Sequence, residues 1–342
     1  MVKVDKILVD SLYINNSGGL VLLKYLVETI ESKGMSVFYL FDERCKSDFK
    51  DIPSNRKLYV KASLLNRYKF YLKNRNRFSN ILCFGNMPPF LVNKKTKVLT
   101  YFHNVLLLNL PENYSLKIKI RSFVRRFLFF LLKKNTNYWV VQSDNVKTLL
   151  NEKAKISKRK ILVYPFFSLD VYDISEKDFI KNSFIYPSTG AIHKNHLMLL
   201  SAWERIYDQG FKPKLSLTIK SLTLELKTEI ERLKIKGLDI VNLGEIKFDD
   251  LKGIYKKSEY LVYPSLFESF GLPLIEAINY GCKVIASDLP YVYKVISPSA
   301  VFNPNDIESF EKSILESMCN ELPRSEVLVK NEITEMINFL SE

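Results

Sequence analysis

The sequence predicts an α/β protein made of two doubly wound domains, each a parallel sheet flanked by helices. Short apolar runs that end in polar residues alternate with helix-like stretches, and this alternation occurs in both halves of the chain. With 342 residues, 47% of them hydrophobic, the chain can bury two cores. The predicted domains are residues 1–168 and 169–324, and residues 325–342 are predicted to form a C-terminal helix that packs back on the first domain.

The first half contains strand-like runs of six to nine residues. A helix is predicted between the first two runs, over residues 19–34, and a linker from Pro165 to about residue 180. The predicted strands are KILVDSLYI (6–14), MSVFYLF (35–41), ILCFGN (81–86), KVLTYFHN (97–104), YWVVQS (138–143) and KILVYPFF (160–167).

The second half repeats this pattern, with a predicted helix over residues 195–210. Its predicted strands are SFIYPST (183–189), KLSLTI (214–219), LDIVNLGEI (238–246), YLVYPS (260–265) and CKVIASD (282–288). In doubly wound sheets, ligands bind at the carboxyl ends of the strands. We therefore expect the functional site in a cleft between the two domains, formed by residues that follow strands.

The net charge of +14 is divided unevenly between the two halves. Residues 1–170 carry 31 Lys and Arg against 12 Asp and Glu, whereas residues 171–342 carry 20 against 25. No acidic residue occurs from Ile52 to Pro111. The basic half favours a polyanionic partner, which leaves nucleic acid, an anionic membrane and a phosphorylated acceptor open.

The four cysteines are scattered without a CxxC pair, and no secretory leader is visible. These features predict a reducing cytoplasm and no zinc site. No uncharged apolar run approaches the roughly 20 residues that span a bilayer. We therefore expect a soluble or peripheral protein.

Gly18 and Gly19 lie between the first predicted strand and helix. Glycines let the backbone approach a ligand, and a helix N-terminus offers free N–H groups to a phosphate. The spacing matches neither GxGxxG nor GxxxxGK[ST], which disfavours a nicotinamide or Walker-type site. A tight turn between strand and helix is the alternative explanation.

The chain has three histidines, and two of them follow predicted strands. His103 ends one strand, and His193 with Lys194 follows another, before Asn195 as the predicted N-cap of the next helix. A lysine at such a junction suits a diphosphate. His193 and His196 have no acidic or cysteine partner nearby in sequence, so we expect no metal site.

The stretch FESFGLPLIEAINYG (267–281) places two carboxylates around a turn. Glu268 follows a predicted strand, and Glu276 is expected in the first turn of a helix that starts near Pro273. The intervening backbone amides suit a phosphate, and a carboxylate can accept hydrogen bonds from two vicinal hydroxyls. Together they suit a ribose diphosphate, whereas the alternative is ordinary surface charge.

The segment from Glu268 to Glu276, followed by Ala277 and Gly281, resembles the E-x7-E signature of retaining GT-B glycosyltransferases of family 4, the group 1 transferases. The similarity extends over 260–290 and 300–306 and covers nearly the whole chain more weakly. The supporting upstream segments are Gly18-Gly19, Tyr101-Phe102-His103-Asn104, Val141-Gln142-Ser143, His193-Lys194-Asn195 and Leu243-Gly244-Glu245.

The resemblance implies that the C-terminal domain binds a nucleotide-sugar donor of the UDP or GDP type. Glu276 would bind the ribose hydroxyls, Glu268 the transferred sugar, and Lys194 the leaving diphosphate. His103 would contact the sugar or the acceptor and is counted with Glu268 as catalytic. The other implied donor-binding positions are Gly18, Gly19, Thr189, Gly244, Phe270, Gly271 and Leu272.

One position departs from the family pattern. Thr189 stands where many relatives carry an arginine, so Ser188, Thr189 or His193 is left to bind the diphosphate by hydrogen bonds. The chain also lacks a DxD sequence at a strand end. We therefore expect a metal-independent transferase without cofactor, in which the leaving phosphate takes the acceptor proton and Glu268 is not a nucleophile.

The segment LKIKIRSFVRRFLFFLLKK (116–134) has seven basic residues, no acidic ones and eleven large apolar ones. It predicts an amphipathic helix on an anionic membrane, supported by a second basic patch at 58–78; a core helix with a basic edge is the alternative. A saccharide acceptor linked to polyprenyl diphosphate, in O-antigen or capsule assembly, would suit this surface. The predicted location is cytoplasmic, peripheral at the inner face of the cytoplasmic membrane.

Two other function classes share some of these features. A nucleotide-sugar epimerase has the same fold and would consume donor without acceptor, whereas a glycogen-type phosphorylase needs a much longer chain. A basic nucleic-acid-binding protein is suggested by charge alone, and no recognised nucleic-acid-binding motif is present. We therefore expect no nucleic-acid partner.

Overall fold

The computed structural model of the protein describes residues 7–110, 114–169, 172 and 178–342. The chain divides into an N-terminal unit, Met1–Ser168 with Lys330–Glu342, and a C-terminal unit, Leu169–Val329. Residues 170–171 and 173–177 of the predicted linker lie outside the described residues, as does Lys6, the first residue of the first predicted strand.

The N-terminal unit contains a seven-stranded parallel sheet in the order β3-β2-β1-β4-β5-β6-β7. β3 and the helix that follows it were not predicted, because basic residues interrupt the apolar pattern of 58–78. The strands are β1 (Ile7–Asp10), β2 (Val37–Asp42), β3 (Lys57–Val60), β4 (Asn80–Cys83), β5 (Lys97–Tyr101), β6 (Tyr138–Val141) and β7 (Ile161–Val163). The helices are α1 (Ser17–Ser32), α2 (Leu64–Lys73), α3 (Leu116–Leu132), α4 (Asp144–Ala154) and α11 (Ile333–Ser341).

The C-terminal unit contains a six-stranded parallel sheet in the order β10-β9-β8-β11-β12-β14, and a two-stranded sheet of β13 and β15. The strands are β8 (Ile180–Tyr186), β9 (Lys214–Leu217), β10 (Ile240–Asn242), β11 (Ser258–Tyr263), β12 (Lys283–Ser287), β13 (Ile296–Ser297), β14 (Ala300–Phe302) and β15 (Glu326–Val327). The helices are α5 (His196–Asp208), α6 (Leu224–Lys236), α7 (Phe248–Lys257), α8 (Leu272–Asn279), α9 (Pro290–Tyr293) and α10 (Ile307–Cys319).

Both sheets confirm the predicted doubly wound α/β class. Each begins with a strand in its interior and adds strands first on one side and then on the other. The order reverses between β1 and β4 in the N-terminal unit and between β8 and β11 in the C-terminal unit. Loops that leave the carboxyl ends of these strand pairs diverge and open a crevice, which is the usual ligand site of such sheets.

The C-terminal helix is shorter than predicted. α11 begins at Ile333, because Glu326–Val327 pairs with Ile296–Ser297 as an antiparallel strand. α11 packs within the N-terminal unit, where the Asn80 amide donates a 2.7 Å hydrogen bond to the carbonyl of Leu340. The expectation of one helix over 325–342 is therefore wrong at its start, since strand pairing satisfies that backbone instead.

Candidate functional site

The loops after β8 and β11 meet at the reversal point of the C-terminal sheet. The Leu266 N–H donates to the carbonyl of His193 at 2.8 Å. The Tyr186 hydroxyl lies 2.9 Å from both the Lys194 carbonyl and the Ser265 hydroxyl. These bonds join segments about 70 residues apart in sequence, and they place the loops that carry Lys194 and Glu268 side by side.

Lys194 and Glu268 form a largely buried ion pair. Nζ of Lys194 lies 2.5 Å from Oε1 of Glu268, and 14% and 13% of their side chains are exposed. The Tyr263 hydroxyl donates to the same oxygen at 2.9 Å. Burial raises the pKa of Glu268, but the Lys194 charge and hydrogen bonds from Lys194, Ser265 and Tyr263 outweigh it, so the pKa lies below its usual value. Glu268 is therefore an ionised, paired carboxylate rather than a solvated surface charge.

Glu276 is buried in α8, with 8% of its surface exposed. Because α8 begins at Leu272, Glu276 lies in the second turn, and its predicted first-turn position is wrong. The Tyr255 hydroxyl donates to Oε2 at 2.9 Å. Burial raises the pKa of Glu276 to about 7, although the Tyr255 hydrogen bond acts in the opposite direction. This side chain is not ordinary surface charge, and it exchanges its proton near neutral pH.

Gly271 directly precedes α8 and has a backbone conformation that favours glycine. Its φ of +85° lies in the left-handed region, and a β-carbon there would approach Leu274 Cδ1 to 2.9 Å. Gly271 occupies the N-cap position without a capping side chain, and Pro273 lies in the first turn as predicted. Phe270 is buried and Leu272 half-buried. The start of α8 is therefore a rigid turn whose amides suit an anion.

The imidazoles of this site add no positive charge at neutral pH. Burial, and then the neighbouring Lys194, lower the pKa of His193 to about 4. Burial lowers the pKa of His196 to about 4 as well, although its Nε2 lies 3.0 Å from the carbonyl of Thr189. Thr189 itself is exposed. Of the residues predicted for the diphosphate, Lys194 is thus the one that supplies charge.

Asn195 does not cap α5 with its side chain. Its φ is +59°, and its Nδ2 donates to the carbonyl of Pro304 at 3.0 Å and lies 3.4 Å from Sδ of Met198 in α5. Asn195 is therefore the N-cap residue of α5, as predicted, but its side chain makes no capping hydrogen bond. The bond to Pro304 instead fixes the turn that presents Lys194.

Gly244 lies apart from these residues. It follows β10, the edge strand that β9 separates from β8. Its φ of +70° is in the left-handed region, and the space around a β-carbon there would be open. The structure thus places Gly244 at the edge of the sheet and not with Lys194 and Glu268.

In the N-terminal unit, Gly19 and His103 lie together. Gly18 and Gly19 are in the first turn of α1, which begins at Ser17 and therefore earlier than predicted. A β-carbon on Gly19 would lie 3.6 Å from Nε2 of His103, which is ordinary van der Waals contact, so the two residues are direct neighbours. Burial lowers the pKa of His103 to about 4. His103 is consequently neutral at physiological pH.

Sequence reasoning missed several polar residues that support these sites. Tyr263 ends β11, so its position at the end of a strand could have identified it as a site residue. Tyr255 lies buried in α7, and nothing in the sequence pointed to its contact with Glu276. Arg67 is 2% exposed and pairs with Asp10 at 2.8 Å. Its guanidinium also donates to the carbonyls of Met87 and Pro88. The basic stretch 58–78 thus contributes a buried ion pair as well as surface charge.

The helix α3 exposes a large apolar and basic surface. Its exposed apolar side chains are Leu116, Ile118, Ile120, Phe123, Val124, Phe127 and Leu131. Phe129 and Leu132 are the residues by which α3 packs into the core. The alternative of a core helix with a basic edge is therefore wrong, because most of the apolar residues face outward.

The described part of the chain contains neither a candidate membrane span nor a candidate cluster of metal ligands. None of its helices is both long and apolar enough to cross a membrane. Among the same residues, no three His, Cys, Asp or Glu side chains are grouped as metal ligands.

Residues 173–334 match the family model of glycosyl transferases group 1. The chain is 29% identical over 199 residues to the O-antigen chain mannosyltransferase RfbU of Salmonella typhimurium, covering 56% of this chain and 55% of that protein. It is 25% identical over 240 residues to a Campylobacter jejuni N-acetylgalactosamine-N,N'-diacetylbacillosaminyl-diphospho-undecaprenol 4-alpha-N-acetylgalactosaminyltransferase, covering 64% and 57%. The chain thus spans a little over half the length of these relatives.

Solved structures show the same fold. A glycosyltransferase from Rickettsia africae superposes with a TM-score of 0.67 at 18% identity, covering 98% of this chain and 92% of that one. The lipopolysaccharide outer core galactosyltransferase WaaB gives 0.63 at 16% identity, covering 93% and 91%. At these identities the likeness concerns the fold, and it confirms two Rossmann-like units of the GT-B class.

Proposed function

We propose, because residues 173–334 match the family model of glycosyl transferases group 1, that this protein transfers a sugar from a nucleotide-sugar donor to a saccharide acceptor. The polysaccharide it serves is a cell-surface one, O-antigen or capsule. The observation that carries the proposal is the set of buried polar groups Lys194, Glu268 and Glu276, which lies inside the family-matched segment at the reversal point of its sheet.

The proposed chemistry gives each group one task. Cleaving the anomeric C–O bond leaves negative charge on the nucleoside diphosphate, and Lys194 with the start of α8 balances it. Glu276 accepts hydrogen bonds from the two ribose hydroxyls. Glu268 orients the sugar, and its pairing with Lys194 makes it a poor nucleophile. The transfer is proposed to retain configuration without a metal, with the acceptor proton passing to the leaving phosphate.

GDP-mannose is the first donor candidate. The Salmonella relative is named a mannosyltransferase. An Escherichia coli relative, O-antigen chain mannosyltransferase B, is 35% identical over 77 residues, which are 20% of that protein. UDP-sugars are the second class to test.

A lipid-linked acceptor is proposed from α3 and from one relative. The name of the Campylobacter relative includes a diphospho-undecaprenol. The exposed apolar side chains of α3 are interspersed with Lys117, Lys119, Arg121, Arg125 and Arg126, and the helix has no acidic residue. Such a helix suits the surface of an anionic membrane. The proposed location is the inner face of the cytoplasmic membrane.

α2 adds to the same membrane-facing surface, because α2 and α3 cover one face of the N-terminal sheet. Phe70 and Tyr71 of α2 belong to one core cluster with Val98 of β5. Side chains two residues apart on a strand lie on the same face of the sheet, so Thr100 lies on the face that α2 covers. Thr100 is in register with Trp139, on which Phe129 of α3 packs. The exposed apolar residues of α2 are Leu64, Leu65, Tyr68 and Leu72.

A thermal-shift panel of GDP-mannose, UDP-sugars and dTDP-sugars tests the donor proposal. One donor should stabilise the wild type, by about 2.7 kcal/mol at a hundred times its Kd. Lys194→Ala and Glu276→Ala should lose the response. Lys312→Ala, a change at an exposed lysine of the same unit, should keep it. The proposal fails if no donor stabilises the wild type or if both site variants respond like it.

An assay without acceptor separates transfer from epimerisation. NMR of the stabilising donor would show the sugar unchanged for a transferase until an acceptor is added. Conversion of the donor into an epimer without acceptor would establish the epimerase instead.

Flotation with anionic and zwitterionic liposomes tests the membrane proposal. Lys117→Gln with Lys119→Gln should weaken binding to anionic liposomes about 30-fold, at roughly 1 kcal/mol for each basic residue near the surface. The control is Lys33→Gln with Lys330→Gln, which removes two exposed charges at α1 and before α11. Equal binding to both liposome types, or equal losses in both variants, would contradict membrane binding through α3.

A further inference from the structure

Asn86 contacts His103 through both atoms of its amide. Asn86 follows β4 and His103 follows the neighbouring β5. Oδ1 of Asn86 accepts a 2.7 Å hydrogen bond from the backbone N–H of His103, and Nδ2 lies 3.3 Å from the ring Nε2. Asn86 has a φ of +66°, a left-handed conformation that asparagine tolerates better than most residues.

The orientation of this amide is fixed by the backbone. An N–H group can only donate, so the atom of Asn86 that faces the His103 N–H must be the carbonyl oxygen. The other end of the amide, which faces Nε2, is therefore the NH₂ group. Exchanging the two ends would set two donors against each other at 2.7 Å.

The amide orientation in turn fixes the ring proton. Because the NH₂ group of Asn86 donates toward Nε2, Nε2 must carry the lone pair and Nδ1 the proton. Nδ1 is buried without a hydrogen-bond partner among the described residues, so its surroundings favour neither a proton nor a lone pair on this nitrogen. The contact with Asn86 thus decides which nitrogen is protonated.

We propose that Asn86 is a positioning residue that holds His103 as a neutral imidazole protonated on Nδ1. The one lone pair of Nε2, which faces Gly19, then accepts the N–H of Asn86, and this nitrogen has no proton to give up. A substrate hydroxyl could donate to Nε2 only in place of the Asn86 amide, and that role rests on the proposed function. His103 would accordingly act by hydrogen bonding, not as an acid that protonates the leaving group.

The surroundings of His103 support a neutral ring. The aromatic rings of Phe84 and Tyr101 lie 5.9 and 5.2 Å from it, centre to centre. Burial lowers the pKa of His103 to about 4, and no charged group among the described residues contributes to that change. A carboxylate placed at Nε2 would act in the opposite sense and favour the charged ring.

Two-bond ¹H–¹⁵N correlation spectra of the full-length protein with ¹⁵N-labelled histidine test this proposal. The chain has three histidines, and His103→Gln assigns the signal. Asn86→Asp keeps the acceptor for the backbone N–H but puts a carboxylate oxygen at Nε2. Asn86→Gly keeps the left-handed backbone and removes the amide. Asn76→Asp is the control, because it makes the same change at an exposed residue.

The wild type should show His103 protonated on Nδ1 and unchanged from pH 8 to 5. Asn86→Asp should raise its titration midpoint by about 1–3 pH units. Asn86→Gly should give a mixture of ring forms, and Asn76→Asp should match the wild type. A proton on Nε2 in the wild type, or wild-type signals in both Asn86 variants, would overturn the proposal. The spectra need no sugar donor, so their outcome is independent of the donor-binding test.

Discussion

Glu276→Gln should stabilise the C-terminal unit while weakening donor binding. The Glu276 carboxyl is buried and has a pKa raised to about 7. Glutamine has nearly the same shape and its amide oxygen can still accept the hydrogen bond from Tyr255, but it carries no charge to desolvate. Removing a functional charge from a buried position commonly increases stability at the expense of function.

The size of the effect follows from the pKa. The folded protein holds this proton up to about pH 7, whereas the unfolded chain releases it near 4.5. Because the folded state binds more protons between these values, Glu276 lowers stability as the pH rises through this window. At 1.36 kcal/mol per pKa unit, the full cost above pH 7 is on the order of 3 kcal/mol. The variant should gain up to this amount at pH 8 and nothing near pH 4.5.

The two tryptophans allow the C-terminal unit to be followed by itself. Trp139 lies in the N-terminal unit and Trp203 in the C-terminal unit. In a Trp139→Phe background, urea unfolding followed by Trp203 fluorescence reports the unit that contains Glu276. Glu321→Gln is the control, since Glu321 is 94% exposed in the same unit.

Two outcomes of the urea experiment would contradict a costly buried carboxyl at Glu276. Glu276→Gln would have no higher urea midpoint than the wild type at pH 8, or the same advantage at pH 5 as at pH 8. Either outcome would mean that Glu276 is not held as a costly buried carboxyl. Donor affinity should fall in the variant because hydrogen bonds to a charged acceptor contribute about 1.5–3 kcal/mol.

Three further predictions concern charge in the two units. Donor affinity measured by calorimetry should be lower at pH 6 than at pH 8, because Glu276 protonates on acidification; a pH-independent Kd would contradict this. Lys194→Ala should lower stability at pH 8 by about 3–5 kcal/mol, since it leaves Glu268 charged, buried and unpaired. The loss should be smaller at pH 5, where the carboxyl can protonate; an equal loss at both values in urea unfolding would count against the ion pair. Arg67→Met should lower the free energy of unfolding by about 3–5 kcal/mol as well, because it leaves the buried Asp10 without its partner. Adding Asp10→Asn should restore most of that stability. A double variant as unstable as Arg67→Met alone, measured by Trp139 fluorescence, would argue against an uncompensated charge.

Much of the fold was readable from local sequence. Runs such as ILCFGN and YLVYPS are too short and too apolar to be anything but buried strands between helices, so alternation predicts doubly wound sheets. The strand-end rule then selected His103, Lys194 and Glu268, because polar residues after buried strands lie at the ligand edge of such a sheet. The same rule could have selected Asn86 and Tyr263, which also lie at strand ends.

The boundaries of some elements were not local. The residues before α11 form a strand because they meet Ile296–Ser297, a partner about 30 residues earlier. β3 and α2 are hidden by basic residues in 58–78, one of which, Arg67, is buried because Asp10 compensates its charge. Sequence patterns report how apolar a segment is but not which distant group will neutralise a charge.

The fold class and the sheet edges where chemistry could occur follow from the sequence alone, because consecutive residues show the periodic pattern of burial. The tertiary structure was needed to show that Lys194 and Glu268 pair and that the pKa of Glu276 is raised to about 7. It also showed that Asn86 contacts the nitrogen of His103 whose protonation we propose it sets. These properties depend on desolvation and on distances between residues far apart in the chain. For the two glutamates, spacing alone left ordinary surface charge open, and burial in the folded protein removed that alternative.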